Sequence, residues 1–82
     1  MKVFVKIYPI TGVCTVTQEV EVELHDGVLS ELPERLQEQL GVDAIPVETL
    51  MFLRGGAALD VRTQVQLHDG DRLWVLPHIS GG

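Results

Sequence analysis

A chain of 82 residues with 12 acidic and 6 basic side chains, net charge −6 and 45% hydrophobic content has room for one small domain with one core. That hydrophobic content excludes a disordered chain, and an acidic balance with no basic stripe and few aromatics argues against nucleic acid as a partner. No apolar stretch approaches the roughly 20 residues needed to span a bilayer, and Met1-Lys2 leads straight into an alternating pattern without a signal peptide, so no membrane partner and a cytoplasmic location are expected.

Val3, Val5 and Ile7 alternate along residues 2–8 and predict a first strand. Pro9 ends it, and Thr11-Gly12 supplies the turn of what reads as a plain hairpin. The return strand over 16–24 sets Val16, Val20, Val22 and Leu24 against Thr17, Glu19, Glu21 and Glu23, with an irregularity near Gln18. Cys14, the only cysteine, has no internal disulfide partner, and nothing near it in sequence would activate the thiol, so a half-buried strand or turn position is expected. Asp26-Gly27 closes the hairpin.

From Val28 the period changes. Leu29, Leu32, Leu36 and Leu40 lie three to four apart among charged and amide residues, which predicts an amphipathic helix ending at Gly41. Ser30 as the cap would place Pro33 in the first turn, where its missing N–H does no harm; Asp26 as the cap would place Pro33 deeper, with a kink. After a loop at Ile45-Pro46, a short strand is expected over 48–53, a turn at Gly55-Gly56, and a further short strand over 59–61. Asp69-Gly70-Asp71 is a strong turn signal. Arg72 to Leu76 is the last strand, and its unbroken apolar character predicts a central, well-covered position beside the first strand. The sequence Leu-His-Asp-Gly occurs at 24–27 and again at 67–70, both times as a strand exit into a turn. The predicted fold class is α+β, a mixed sheet of four to five strands with one helix across one face.

Strand alternation carries one functional expectation. With Leu73 and Val75 facing the helix, Trp74 and Leu76 face the other side, and Phe4, between Lys2 and Lys6, shares that side. Exposed apolar side chains on one sheet face make Phe4, Trp74 and Leu76 the candidate docking residues. The alternative is the reversed register, with Trp74 in the core.

The order of elements and the segment from Asp69 through Leu76, Pro77 and Pro77-His78-Ile79-Ser80-Gly81-Gly82 resemble the ubiquitin-like β-grasp sulfur carriers, namely the small subunit of molybdopterin synthase and the thiamin-pathway sulfur carrier. The resemblance implies a β-grasp domain over 1–77 and a flexible tail over 78–82. It implies a carrier with no catalytic residues, no metal and no cofactor of its own. An E1-like adenylating enzyme would use ATP to activate the Gly82 carboxylate. A sulfur donor of cysteine desulfurase or rhodanese type would convert it to a thiocarboxylate. An acceptor enzyme, such as a molybdopterin synthase large subunit or thiazole synthase, would take the sulfur. Pro77, His78, Ile79, Ser80 and Gly81 would thread into the partner active sites, the glycines avoiding clashes there. The Pro-His-Ile-Ser-Gly-Gly ending is closer to the molybdopterin branch than to the thiamin branch. Pro9-Ile10-Thr11-Gly12 departs from the Arg-Glu helical turn of the molybdopterin branch, and Arg54-Gly55-Gly56 stands where many members have Asn-Gly. A ubiquitin-like modifier joined to lysines through Gly82 is the alternative the same tail allows.

Leu53-Arg54-Gly55-Gly56 matches the mature end of ubiquitin, but cleavage there would remove the last strand, so it reads as a turn. His25, His68 and His78 lack a metal-ligand spacing. Asp69-Gly70-Asp71 lacks the remaining ligands of a calcium loop.

Overall fold

A computed structural model describes residues 1–78. Five strands, β1 (Lys2–Ile7), β2 (Gln18–Glu23), β3 (Leu50–Arg54), β4 (Ala57–Leu59) and β5 (Arg72–Pro77), form one mixed sheet in the order β2-β1-β5-β3-β4. β1 and β5 pair in parallel, and the other neighbours are antiparallel. One helix, α1 (Leu32–Leu40), packs across one face behind a 3₁₀ turn at Leu29–Glu31. A second 3₁₀ turn, Val47–Thr49, leads into β3. The expected α+β class and the central parallel pair are both observed. No helix among the described residues is long and apolar enough to cross a membrane.

The core lies between α1 and the inner face of the sheet. Val3, Val5 and Ile7 of β1, Phe52 of β3, and Leu73 and Val75 of β5 meet Leu29, Leu32 and Leu36, all of them almost fully buried. Leu40 closes the helical stripe from a partly buried position. The apolar alternation is therefore what fixes which face each strand turns inward, because a one-residue slip would expose the whole row.

Four local expectations need correction. The first loop is not a plain hairpin. Residues 8–17 fold back through an Ile10–Cys14 bridge, which buries Ile10 and leaves Val16 61% exposed, so β2 begins only at Gln18. Cys14 is half-buried there, as expected, and its thiol lies 3.6 Å from the Tyr8 carbonyl oxygen. Second, neither Ser30 nor Asp26 caps the helix. The α-helical turns begin after Glu31, with Pro33 in the first turn. The Glu31 carboxylate reaches back instead, accepting the N–H groups of His25 at 2.6 Å, Asp26 at 2.8 Å and Gly27 at 3.2 Å. Third, β3 starts two residues later than expected and ends one later, because the Val47–Thr49 turn takes Glu48 out of it, and β4 lies two residues earlier than expected, because it follows Gly55-Gly56 immediately. Fourth, β5 is central but covered on one face only: Leu73 and Val75 are buried, whereas Trp74 is 46% exposed.

Two turns match their sequence signals closely. Gly41 ends α1 with φ 68°, and the N–H groups of Gly41 and Val42 both donate to the Gln37 carbonyl. Gly55 and Gly56 have φ 59° and 82°, the two positive values of the primed turn that joins antiparallel neighbours.

Candidate functional site

The outer sheet face is built by alternation. β1 contributes Lys2, Phe4 and Lys6, and Tyr8 follows directly, tied by its N–H to the Val75 carbonyl at 2.9 Å. β5 contributes Arg72, Trp74 and Leu76, and β3 contributes Met51 and Leu53. On the edge strand β2, Glu19, Glu21 and Glu23 occupy this face, and charged side chains at an edge oppose self-pairing.

Trp74 and Leu76 lie side by side in this face with Tyr8, Pro9, Leu53 and Pro77, around a shallow groove of about 490 Å³. The Tyr8 and Trp74 rings meet edge to face, with centroids 6.3 Å apart and planes at 89°. Phe4 is on the same face but in a different place. The parallel register sets it opposite Arg72, and it lines a separate small hollow with Glu19, Val20, Glu21 and Arg72. The structure thus brings together two of the three candidate docking residues and sets the third one step away. Tyr8 and Leu53 were not singled out from the sequence. The same alternation reaches both: Tyr8 continues the even-numbered row of β1, and Leu53 is next to the inward Phe52.

The groove ends at the root of the tail. Pro77 is the last residue of β5, and the His78 N–H donates to the Thr49 carbonyl at 2.7 Å, which carries the ladder with β3 one residue further. The His78 side chain is exposed. Ile79, Ser80, Gly81 and Gly82, which the sequence reading assigns to threading and to covalent attachment, lie outside the described residues.

The start of β5 is held just as closely. Lys2 N–H donates to Asp69 Oδ1 at 2.8 Å, Gly70 N–H to the Lys2 carbonyl at 2.7 Å, and Phe4 N–H to the Asp71 carbonyl at 2.8 Å. Asp71 Oδ2 accepts the His68 N–H at 2.9 Å and Arg54 Nη1 at 3.2 Å. Asp69-Gly70-Asp71 is therefore a turn, and it also sets the register of β5 against β1. Both ends of the central strand are fixed by bonds to neighbouring elements.

A second hollow, of about 280 Å³, opens on the opposite side of the sheet over Leu50, Phe52 and Leu59. Its rim carries Asp60 and Arg62, which satisfy each other. The Arg62 N–H and guanidinium both bond the Asp60 carboxylate and hold it below its ordinary range.

No family model matches the chain, and no curated protein matches it at a significant level. Solved structures do. SAMP1 from Haloferax volcanii superposes with a TM-score of 0.70 at 17% identity, covering 100% of both chains. A ubiquitin-like protein from the hyperthermophilic archaeon Caldiarchaeum subterraneum gives 0.53 at 17% identity, over 99% of this chain and 100% of that one. Caldiarchaeum subterraneum ubiquitin gives 0.53 at 20% identity over 100% of both. At these identities the likeness is one of fold, and it agrees with the sheet order and the single helix: the chain has the ubiquitin-like β-grasp fold.

Proposed function

We propose that this chain is a ubiquitin-like sulfur carrier whose Gly82 carboxylate is activated and converted to a thiocarboxylate. An E1-like enzyme joins the carboxylate to the α-phosphate of ATP and releases pyrophosphate. A sulfide equivalent from a donor enzyme then displaces AMP, and the displaced carboxyl oxygen leaves with it. The acceptor is first an enzyme of molybdopterin biosynthesis and second one of thiazole formation. The chain itself supplies a docking face and a tail.

The observation that carries this reading is the placement of the tail root. The last described residues leave the central strand at a hydrogen-bonded position, beside an apolar groove that nothing in the described chain covers. A partner seated on Trp74 and Leu76 would have the Gly81-Gly82 segment within a few residues of its own surface, and the chain reaches about 3.3–3.6 Å per residue when extended. The ubiquitin-like β-grasp fold that the chain shares with SAMP1 fits a carrier of this kind.

The test is intact-mass spectrometry after incubation with the activating enzyme, ATP and a sulfur source. The expected result is a gain equal to one sulfur-for-oxygen exchange, located on the peptide that contains Gly82. With an enzyme shown to be active on another substrate, an unchanged mass rejects the proposal. The second reading is a protein modifier, favoured by the fold it shares with a protein described as ubiquitin. Denaturing purification of a tagged chain from cells separates the two, since a ladder of covalent adducts belongs to the modifier.

A further inference from the structure

The chain has 12 carboxylate side chains for 6 cations, so each cation has partners to spare. Four are paired: Lys2 with Glu21 at 3.6 Å, Arg35 with Glu31 at 3.4 Å and Glu38 at 3.0 Å, Arg54 with Asp71 at 3.2 Å and Arg62 with Asp60 at 3.2 Å. Among the described residues, Lys6 and Arg72 make no salt bridge. They lie instead against aromatic rings, Lys6 Nζ at 5.7 Å from the Tyr8 ring centre and Arg72 Cζ at 5.5 Å from that of Phe4. Both are on the outer face. The β1–β5 register sets Lys6 opposite Trp74 and Arg72 opposite Phe4. The carboxylates that face them are those of β2, with Glu19 opposite Lys6 and Glu21 opposite Phe4. Glu21 turns to Lys2, and Glu19 reaches neither cation.

A chain of net charge −6 suits basic partners on average, yet the outer positions of β1, β5 and β3 carry the cations Lys2, Lys6 and Arg72 and no carboxylate, the carboxylates Glu19, Glu21 and Glu23 lying out on the β2 edge. We infer that the outer face docks a partner protein segment that carries an aliphatic or aromatic side chain between carboxylates. The apolar side chain fits the groove between Tyr8, Leu53, Trp74 and Leu76, and the carboxylates meet Lys6 and Arg72. Holding each cation on a ring lowers the ordering cost of pairing it with an incoming anion. A second copy of the chain fits poorly, because a two-fold contact centred on the groove brings together the outer positions of β1, β5 and β3, which carry cations and no carboxylate. A nucleic acid fits poorly too, since two cations on a strongly acidic chain cannot neutralise a run of phosphates. This deepens the docking part of the reading above by giving the partner's chemistry, and it does not depend on the fate of Gly82.

The test uses the full ¹⁵N-labelled chain and three synthetic peptides. One has two leucines flanked by glutamates, one has lysines in place of the glutamates, and one has serines in place of the leucines. The expected result is that the glutamate–leucine peptide binds about tenfold tighter than either other peptide, quenches or shifts Trp74 fluorescence, and perturbs the amides of Lys6, Tyr8, Leu53 and Trp74. Lys6→Glu and Arg72→Glu should each weaken it about tenfold, and the double variant should come to prefer the lysine peptide. Lys6→Gln and Arg72→Gln, with unchanged amide spectra elsewhere, guard against misfolding. Equal binding of the lysine peptide, no binding of the glutamate peptide, or perturbations confined to another surface would overturn the inference. So would outer-face signals that move with protein concentration alone, which would assign the face to a second copy. No activating enzyme is present, so failure here leaves the thiocarboxylate proposal standing, and failure of the mass measurement leaves this one standing.

Discussion

Asp69 and Lys2 are 67 residues apart in sequence and joined at 2.8 Å, Lys2 N–H to Asp69 Oδ1, at the point where β5 begins to run parallel to β1. A parallel pair needs a long connection, and closing that connection costs entropy before any contact repays it. The turn residues supply side-chain bonds just where the pairing starts. Asp69→Ala should therefore cost about 1 kcal/mol, because the freed N–H lies at an exposed site where water replaces the carboxylate. Asp71→Ala should cost more, about 1–3 kcal/mol, since its carboxylate bonds both His68 N–H and Arg54 from a half-buried position. Urea unfolding of the two variants checks the order, and an Asp71 variant as stable as the parent would refute the assignment.

The Glu31 carboxylate predicts an acid-sensitive fold. Partial burial pushes its pKa up, but the N–H groups of His25, Asp26 and Gly27, together with the His25 side chain, outweigh burial and hold it below the ordinary value. A carboxyl group whose pKa is depressed on folding stabilises the fold above its unfolded-state pKa and loses that contribution as pH falls through the folded value. Glu31→Gln keeps the shape, but its amide can accept through one oxygen only, so a loss of about 1–3 kcal/mol is expected at pH 7. The difference between parent and variant should shrink as the pH is lowered through the range where carboxylates protonate. A difference constant from neutral to acid pH would show that the charge plays no part.

Neighbouring residues of β5 should separate stability from docking. Val75 is buried to 1% exposure and Trp74 is 46% exposed. Val75→Ala should destabilise by about 1–3 kcal/mol through lost core contacts. Trp74→Ala should change stability far less while abolishing binding of the glutamate–leucine peptide. Thermal unfolding and peptide titration on both variants give the comparison, and a Trp74 variant that unfolds like a core mutant would place the ring in the core.

Gly56 should tolerate alanine in space but not in backbone. A Cβ there would meet nothing within 4 Å, yet φ is 82°. Gly56→Ala should thus cost about 1 kcal/mol from the left-handed conformation alone. The same geometry makes Arg54-Gly55-Gly56 a closed turn between paired strands, so intact-mass analysis of the protein after expression in cells should show no cleavage after Gly56. A product ending there would count against this assignment.

The amino-acid order alone determined what depends on near neighbours. Alternating Val3, Val5 and Ile7 made β1 legible, the leucine spacing made α1 legible, and Gly41 and the Gly55-Gly56 pair marked backbone turns that other residues resist. Trp74 and Leu76 were legible as a pair on one face because side chains alternate along any strand.

Tertiary structure decided what depends on distant partners. Glu31, rather than Ser30 or Asp26, completes the helix entrance, because three N–H groups from the preceding turn converge on its carboxylate. Phe4 and Trp74 lie apart because the parallel register matches Phe4 to Arg72 and Lys6 to Trp74, and no local pattern encodes a register across the helix. The net charge of −6 was plain in the composition, yet the charge pattern of the outer face was not. That charge pattern follows from the register, which sets Glu19, Glu21 and Glu23 on the β2 edge, where among the described residues none forms an ion pair with Lys6 or Arg72.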